Sequence, residues 1–191
     1  MVIKKIIKKI IIIINKINIR RQKITIGENP IINGLVFFRN YGSIIIGKNF
    51  KATSGKNNNP IGGDTVLRLI CRKDAQIKIG DNVGISNATL HICKKLTIKD
   101  NVLIGGGCKI WDSDFHSIDY RDRIFDGDNN IKIESIYISE NVFIGANSII
   151  LKGVKIGKNS VIGAGSVVTK NVPENEIWAG NPAKKIKGLE S

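Results

Sequence analysis

His116 is the residue of this 191-residue chain best equipped to move a proton. It stands in the run WDSDFHSIDYRDRIFDGDNN, with carboxylates at Asp112, Asp114 and Asp119 close by. A neutral imidazole, with a pKa of about 6.5, accepts a proton from a hydroxyl and can hand one back later. A carboxylate beside it can hold the ring in the useful tautomer. Asp114 is nearest in sequence, but spacing alone does not choose among the three aspartates. His91 is the only other histidine, so a three-histidine zinc site cannot be assembled. Cys71, Cys93 and Cys108 lack metal-ligand spacing, and their odd number argues for a reducing compartment without a disulfide framework. No Ser or Cys occupies a nucleophile elbow, so a covalent intermediate on such a nucleophile is not expected.

What must position His116 is a six-residue repeat. From Ile138 to Pro173 the chain reads ISENVF, IGANSI, ILKGVK, IGKNSV, IGAGSV and VTKNVP. Slot one is aliphatic throughout, and slot five is small: Val142, Ser148, Val154, Ser160, Ser166, Val172. Slot four is Asn or Gly: Asn141, Asn147, Gly153, Asn159, Gly165, Asn171. These two residue types tolerate positive φ, so the chain is expected to turn there. A short straight piece and a corner every six residues make a parallel β-helix, three pieces to a turn. An amphipathic helix would need a 3.6 period instead. Related units start at Ile79, Ile92, Ile98 and Ile104, with fragments at Ile26 and Ile46, so coiling is expected from just after residue 24. Two stretches break the period. Residues 53–65 are turn-rich, and residues 111–135 carry His116. Loops leaving a rigid wall are where such folds keep their chemistry.

The 42% hydrophobic content is enough for one continuous core. A net charge of +14 invites an anionic partner. Nucleic acid is disfavoured, because aromatics are 6% of residues and do not alternate with the cations. Richness in Ile, Lys and Asn accounts for part of the charge, but two basic clusters stand out. Residues 1–21 form a segment that, as a helix, gathers Ile3, Ile6, Ile7, Ile10, Ile13, Ile14 and Ile17 on one face. Lys4, Lys5, Lys8, Lys9 and Lys16 fall on the other. It is read first as a cap over the open end of the β-helix, compatible with contact with an anionic membrane surface. The β-helix is expected over residues 22–177, followed by a basic tail, 178–191.

The hexapeptide wall, the loop DSDFHSIDYRDR, the run IGAGSVVTKNVP and the closing AGNPAK together resemble the hexapeptide-repeat acyltransferases. The likeness runs over roughly residues 70–188 and is strongest to the sugar and polysaccharide O-acetyltransferase branch. It implies an all-β, left-handed parallel β-helix, an exception to the right-handed crossover rule. It also implies a cytoplasmic homotrimer with sites between adjacent walls, using acetyl-CoA as co-substrate and no metal. His116 would be the general base, oriented by Asp114. Ala146 and Ala164 would line the pantetheine arm, Thr169 and Lys170 would meet the cofactor further along, and Lys184 and Lys187 would lie near its phosphates. The family often has Arg at those last positions, and Lys serves there as a point charge.

Departures bear on the acceptor. Cys93 stands where the small-sugar enzymes use an acidic acceptor contact, their extra N-terminal helical segment is not matched, and Ile85-Ser86-Asn87 differs, although Ser86 and Asn87 remain acceptor candidates. The expected acceptor is therefore a hydroxyl on a polymeric or lipid-linked glycan, handled at the inner face of the cell membrane. The alternative is a small molecule, such as an antibiotic or a nucleotide-linked sugar amine.

Overall fold

The slot-one residues Ile138, Ile144, Ile150, Ile156, Ile162 and Val168 are wholly shielded from water, and no slot-five residue is more than 3% exposed. Five of the six slot-four residues take the expected left-handed turn: φ is 60–76° at Asn141, Asn147, Gly153, Asn159 and Gly165. Asn171 departs from the expectation. It is not among the positive-φ residues, and its Oδ1 accepts the Lys155 N–H at 2.8 Å instead.

This computed structural model describes residues 2–125, 127 and 129–190, without the side chains of Val2 and Lys4. Met1 of the N-terminal segment, Asp126 and Asp128 of the second loop and Ser191 of the tail lie outside the described residues. The strands form three parallel walls of a left-handed β-helix. The first wall holds Thr25–Ile26, Ser43–Ile46, Gln76–Ile79, Lys95–Ile98, Ile136–Ile138 and Lys155–Ile156. The second holds Ile31–Asn33, Lys51–Thr53, Gly84–Ser86, Leu103–Ile104, Phe143–Ile144, Val161–Ile162 and Glu176–Ala179. The third holds Phe37–Asn40, Arg68–Cys71, Thr89–Ile92, Lys109–Trp111, Ile149–Ile150 and Val167–Val168. Strand Glu176–Ala179 straddles the expected start of the tail, and Lys184–Gly188 then pairs antiparallel with it.

One corner is bound by a ladder the six-residue pattern alone does not reveal. Asn49, Asn82, Asn101, Asn141, Asn159 and Asn175 all have φ of 55–61°, and each Nδ2 donates to the Oδ1 of the next at 2.7–3.1 Å. Left-handed backbone that is costly for most residues is thus held by stacked amides.

Helix α1, Val2–Arg21, closes the N-terminal end of the coil. It does so with a mixed face. Buried Asn15 donates to the Gly34 carbonyl (2.9 Å) and accepts from Val36 N–H (3.1 Å), while Ile19 packs against the core. Gln22, just beyond the helix, accepts from Asn40 N–H at 2.7 Å.

Candidate active site

The loop bearing His116 leaves the corner between the third and first walls. Its base is pinched shut by an antiparallel bridge between Ser113 and Ile133, flanked by Asp114 N–H to Lys132 O (3.1 Å) and Glu134 N–H to Asp112 O (2.9 Å). Inside, helix α2, Tyr120–Phe125, starts where the Asp119 carboxylate accepts the Arg121 N–H (2.9 Å), which is a helix-capping contact. The buried Ser117 hydroxyl donates to Asp122 (2.8 Å), and Arg123 donates to the Ser117 and Ile118 carbonyls. The loop is therefore a built unit. His116 sits on its exposed side.

The three aspartates that spacing left open have separate jobs. Asp112 is fully buried, and its carboxylate accepts the N–H groups of Cys93 (2.7 Å), Lys94 (2.7 Å) and Lys95 (2.9 Å) at the neighbouring corner. Asp119 pairs with Arg121 at 2.6 Å, and this guanidinium holds its carboxyl below the usual carboxylate range. Asp114 pairs with Lys152 at 2.6 Å through Oδ1, while its buried Oδ2 has no hydrogen-bond partner among the described residues. Asp114 thus keeps one carboxylate oxygen without a partner among the described residues, and Lys152, which sequence reasoning passed over, holds the other.

Phe115 is the other residue missed. Its φ is 63°, a conformation that is a genuine outlier for a bulky side chain. Among the described residues, all but two of the positive-φ non-glycine positions are Asn or Asp; Phe115 and Lys23 are the exceptions. The ring is clamped on the outer face of the third wall, 5.0 Å from the His91 ring and 6.1 Å from Trp111. His91 and Trp111 are register partners there. Strain of this kind, over-determined by packing, collects at functional positions. A bulky aromatic immediately before the histidine was the available signal, but sequence does not disclose its φ. Burial, and then the charge of Arg72, push the His91 pKa down, and burial raises the Cys93 thiol, 4.0 Å from His91.

Ala146 and Ala164 stand on a different edge, the corner between the second and third walls. A Cβ on Gly145 would meet the Ala164 nitrogen at 2.5 Å, and one on Gly105 the Ala146 nitrogen at 2.6 Å, so the corners stack in close register. One level further, a Cβ on Gly163 would touch Ala179, whose strand partner is Lys184. Lys187 pairs with Ile177 on the same two strands. At the other end the column is covered. The first loop folds Asn59 and Gly62 over Gly106, and buried Asn87 pins that loop by accepting Gly55 N–H (2.7 Å) and donating to Asn59 O (3.0 Å). Half-buried Ser86 ends strand Gly84–Ser86 immediately before Asn87. The result is an edge groove stopped at the Asn87 level and open past Gly165, where an added Cβ would meet nothing within 4 Å.

Thr169 and Lys170 follow the last strand of the third wall and are exposed on the His116 side, one coil beyond Leu151 and Lys152. Strands of two to four residues at about 3.3 Å each make this wall on the order of 10 Å wide. Within one chain, then, the structure brings Ala146, Ala164 and Lys184 together along one edge. It brings His116, Asp114, Thr169 and Lys170 together along another.

Residues 136–170 match the family model described as the hexapeptide repeat of succinyl-transferase. No curated protein matches the sequence. Among solved structures, a hexapeptide-repeat-containing acetyltransferase of Vibrio cholerae O1 biovar eltor, complexed with acetyl coenzyme A, is 34% identical over 61% of this chain and 61% of its own, with a TM-score of 0.54. A galactoside acetyltransferase in complex with coenzyme A is 32% identical over 87% of this chain and 65% of its own, with a TM-score of 0.59. A polySia-specific acetyltransferase is 29% identical over 88% of this chain and 77% of its own, with a TM-score of 0.60. The chain thus spans less than two thirds of the length of the first two.

Proposed function

We propose, because the chain belongs to the hexapeptide-repeat acyltransferases, that it transfers the acetyl group of acetyl-CoA to a sugar hydroxyl of a surface polysaccharide or lipid-linked glycan precursor. The observation that carries this reading is the pairing of an exposed histidine on the pinned second loop with a stack of small corners open to solvent. The similar galactoside and Vibrio proteins hold coenzyme A or its acetyl ester, which makes that groove the place to put it. The residues fit such a ligand. Ala146 and Ala164 leave room for a thin arm along the edge, and Lys184 and Lys187 offer cations to phosphates near its open end.

In this reaction His116 takes the proton of the acceptor hydroxyl as its oxygen bonds to the thioester carbonyl carbon. When the carbon–sulfur bond breaks, the imidazolium returns that proton to the departing thiolate. Asp114, held by Lys152, orients the ring, and Phe115 aims it outward from the wall. Ser86 and Asn87 lie at the stopped end of the groove, where Asn87, its amide spent on Gly55 and Asn59, would shape the acceptor's approach through the loop it pins rather than by direct contact.

The two half-sites lie on separate edges, so the complete site is assigned to a homotrimer in which one chain's loop meets its neighbour's groove. Two features support that assembly. The loop displays Ile118, Ile124 and Phe125, each at least 66% exposed. The second wall presents a seam of Leu103, Phe143, Val161 and Ile177 in register. The enzyme would work in the cytoplasm, at the inner face of the membrane where such precursors are built. Among the described residues no helix is long and apolar enough to cross a bilayer.

The test is an acceptor screen with acetyl-CoA, read by thiol release and by the mass gain of one acetyl group on the product. His116→Ala should lower kcat by about 10² or more with acetyl-CoA affinity nearly unchanged. Turnover within a few-fold of the parent would remove His116 from the base role.

A further inference from the structure

Helix α1 docks on the β-helix with the wrong face for an ordinary amphipathic cap. Its inward face is Asn15, Ile11 and Ile19, whereas Ile3, Ile6, Ile7, Ile10, Ile13, Ile14 and Ile17 are each 38–73% exposed. At about 100° per residue these seven isoleucines fill one arc of roughly 120°, turned away from the coil. Lys5, Lys9, Lys16 and Arg20 lie exposed along one border of that arc. The helix carries seven Lys or Arg and no acidic residue.

We propose that this isoleucine stripe seats the protein on an anionic lipid surface, with α1 lying in the plane of the headgroups and the β-helix held on its other side. Charge selects this occupant. An in-plane helix has a large apolar face bordered by Lys and Arg, and an anionic leaflet rewards each nearby cation with about a fivefold gain in binding. A second copy of the chain is the competing occupant, since Ile3, Ile7, Ile10, Ile14 and Ile17 also fit heptad spacing. Copies packed on this seam would bring like charges together with no anion to pair them, and Ile6 and Ile13 widen the stripe beyond such a seam. The seven cations also bar a spanning role, in keeping with the lack of any membrane-crossing helix among the described residues. The inference deepens the proposed function by fixing how a lipid-linked acceptor is reached, and rests on that reading only for this purpose.

The experiment is co-sedimentation of the full chain with vesicles of phosphatidylglycerol and phosphatidylcholine, against phosphatidylcholine alone. Light scattering and circular dichroism are recorded for each variant. The parent should bind the anionic vesicles at least tenfold more tightly, less so as salt rises. Replacing Ile6, Ile10, Ile13 and Ile17 by Ser should cut that binding at least tenfold with mass and fold unchanged, because these side chains touch neither the core nor the grooves beside α1. Replacing Lys5, Lys9, Lys16 and Arg20 by Gln should cut it about a hundredfold or more and weaken the salt dependence, with Lys4, Lys8 and Arg21 still in place. No preference for anionic vesicles would overturn the proposal. So would a drop in assembly mass in the Ser variant, which would assign the stripe to a helical bundle between copies. Acetyl transfer to a soluble acceptor, assayed without vesicles, separates the two ideas: activity without vesicle binding sinks this inference alone.

Discussion

Replacing Asp112 by Ala should damage the fold at one identifiable place. The carboxylate is fully buried and accepts three backbone N–H groups, from Cys93, Lys94 and Lys95, at 2.7–2.9 Å. Hydrogen bonds to a charged group contribute about 1.5–3 kcal/mol each. Their simple sum is too large, because bonds on a shared acceptor do not add and water will reach part of the vacated corner. An expected loss of about 3–5 kcal/mol follows, or roughly 8–15 °C in Tm for a chain of this size. Asp112→Asn should also destabilise. Whichever way the amide sits, its NH2 faces either the Cys93 N–H or the Lys94 and Lys95 pair. A solenoid need not unfold in one step, so hydrogen exchange at residues 93–95 is the sharper readout beside urea melting. These three amides should lose protection ahead of the ladder at Asn141 and Asn159. A change under about 1 kcal/mol with protection intact would refute this reasoning and return Asp112 to the candidates for orienting His116.

Asn101→Ala should cost about 1–2 kcal/mol more than Asn101→Gly in denaturant melts. Both lose the ladder bonds, but only Ala resists the φ of 60°. Lys184→Ala with Lys187→Ala should raise the KM for acetyl-CoA about tenfold, and the defect should shrink for a thioester lacking the nucleotide. Calorimetry showing unchanged CoA affinity would place the phosphates elsewhere. The His91 pKa lies below its ordinary 6.5, because burial, and then Arg72, oppose the charged form. Below that value the unfolded chain binds a proton that the folded chain resists, so stability should fall as the pH drops below the ordinary histidine value toward the lowered one. His91→Gln should flatten that part of the curve, and an unchanged acid limb would show that other groups set it.

The core was legible because six-residue spacing is a statement about backbone geometry. Once Ile156 and Ile162 are known to point inward, Ser160 must be small and Asn159 must turn. Asn171 was illegible for the same reason. The last coil is bounded by Pro173 and closes on Lys155, so a side-chain contact replaces the left-handed turn. The loop was legible as an interruption but not as a structure. Its three aspartates are alike in sequence, and only distance separates the one that binds amides from the one that caps α2 and the one that pairs with Lys152.

Periodicity likewise found the isoleucine face of α1, yet it says nothing about which side of a helix its own protein will use. A face of seven isoleucines looks like the side to bury, and the chain instead buries Asn15, whose amide meets both a carbonyl and an N–H of the first coil. An edge of unpaired backbone at the end of a solenoid needs polar partners before it needs apolar cover. That need explains why the polar residue faces inward, and leaves the apolar face for a surface outside the chain. The same logic holds along the walls. Each coil satisfies its own backbone through the coils above and below it, so what remains exposed, the corner groove at Ala164 and the loop tip at Phe125, is surface the chain does not use for its own fold. Two open edges of this kind are what the proposed closed assembly of identical chains would bring together.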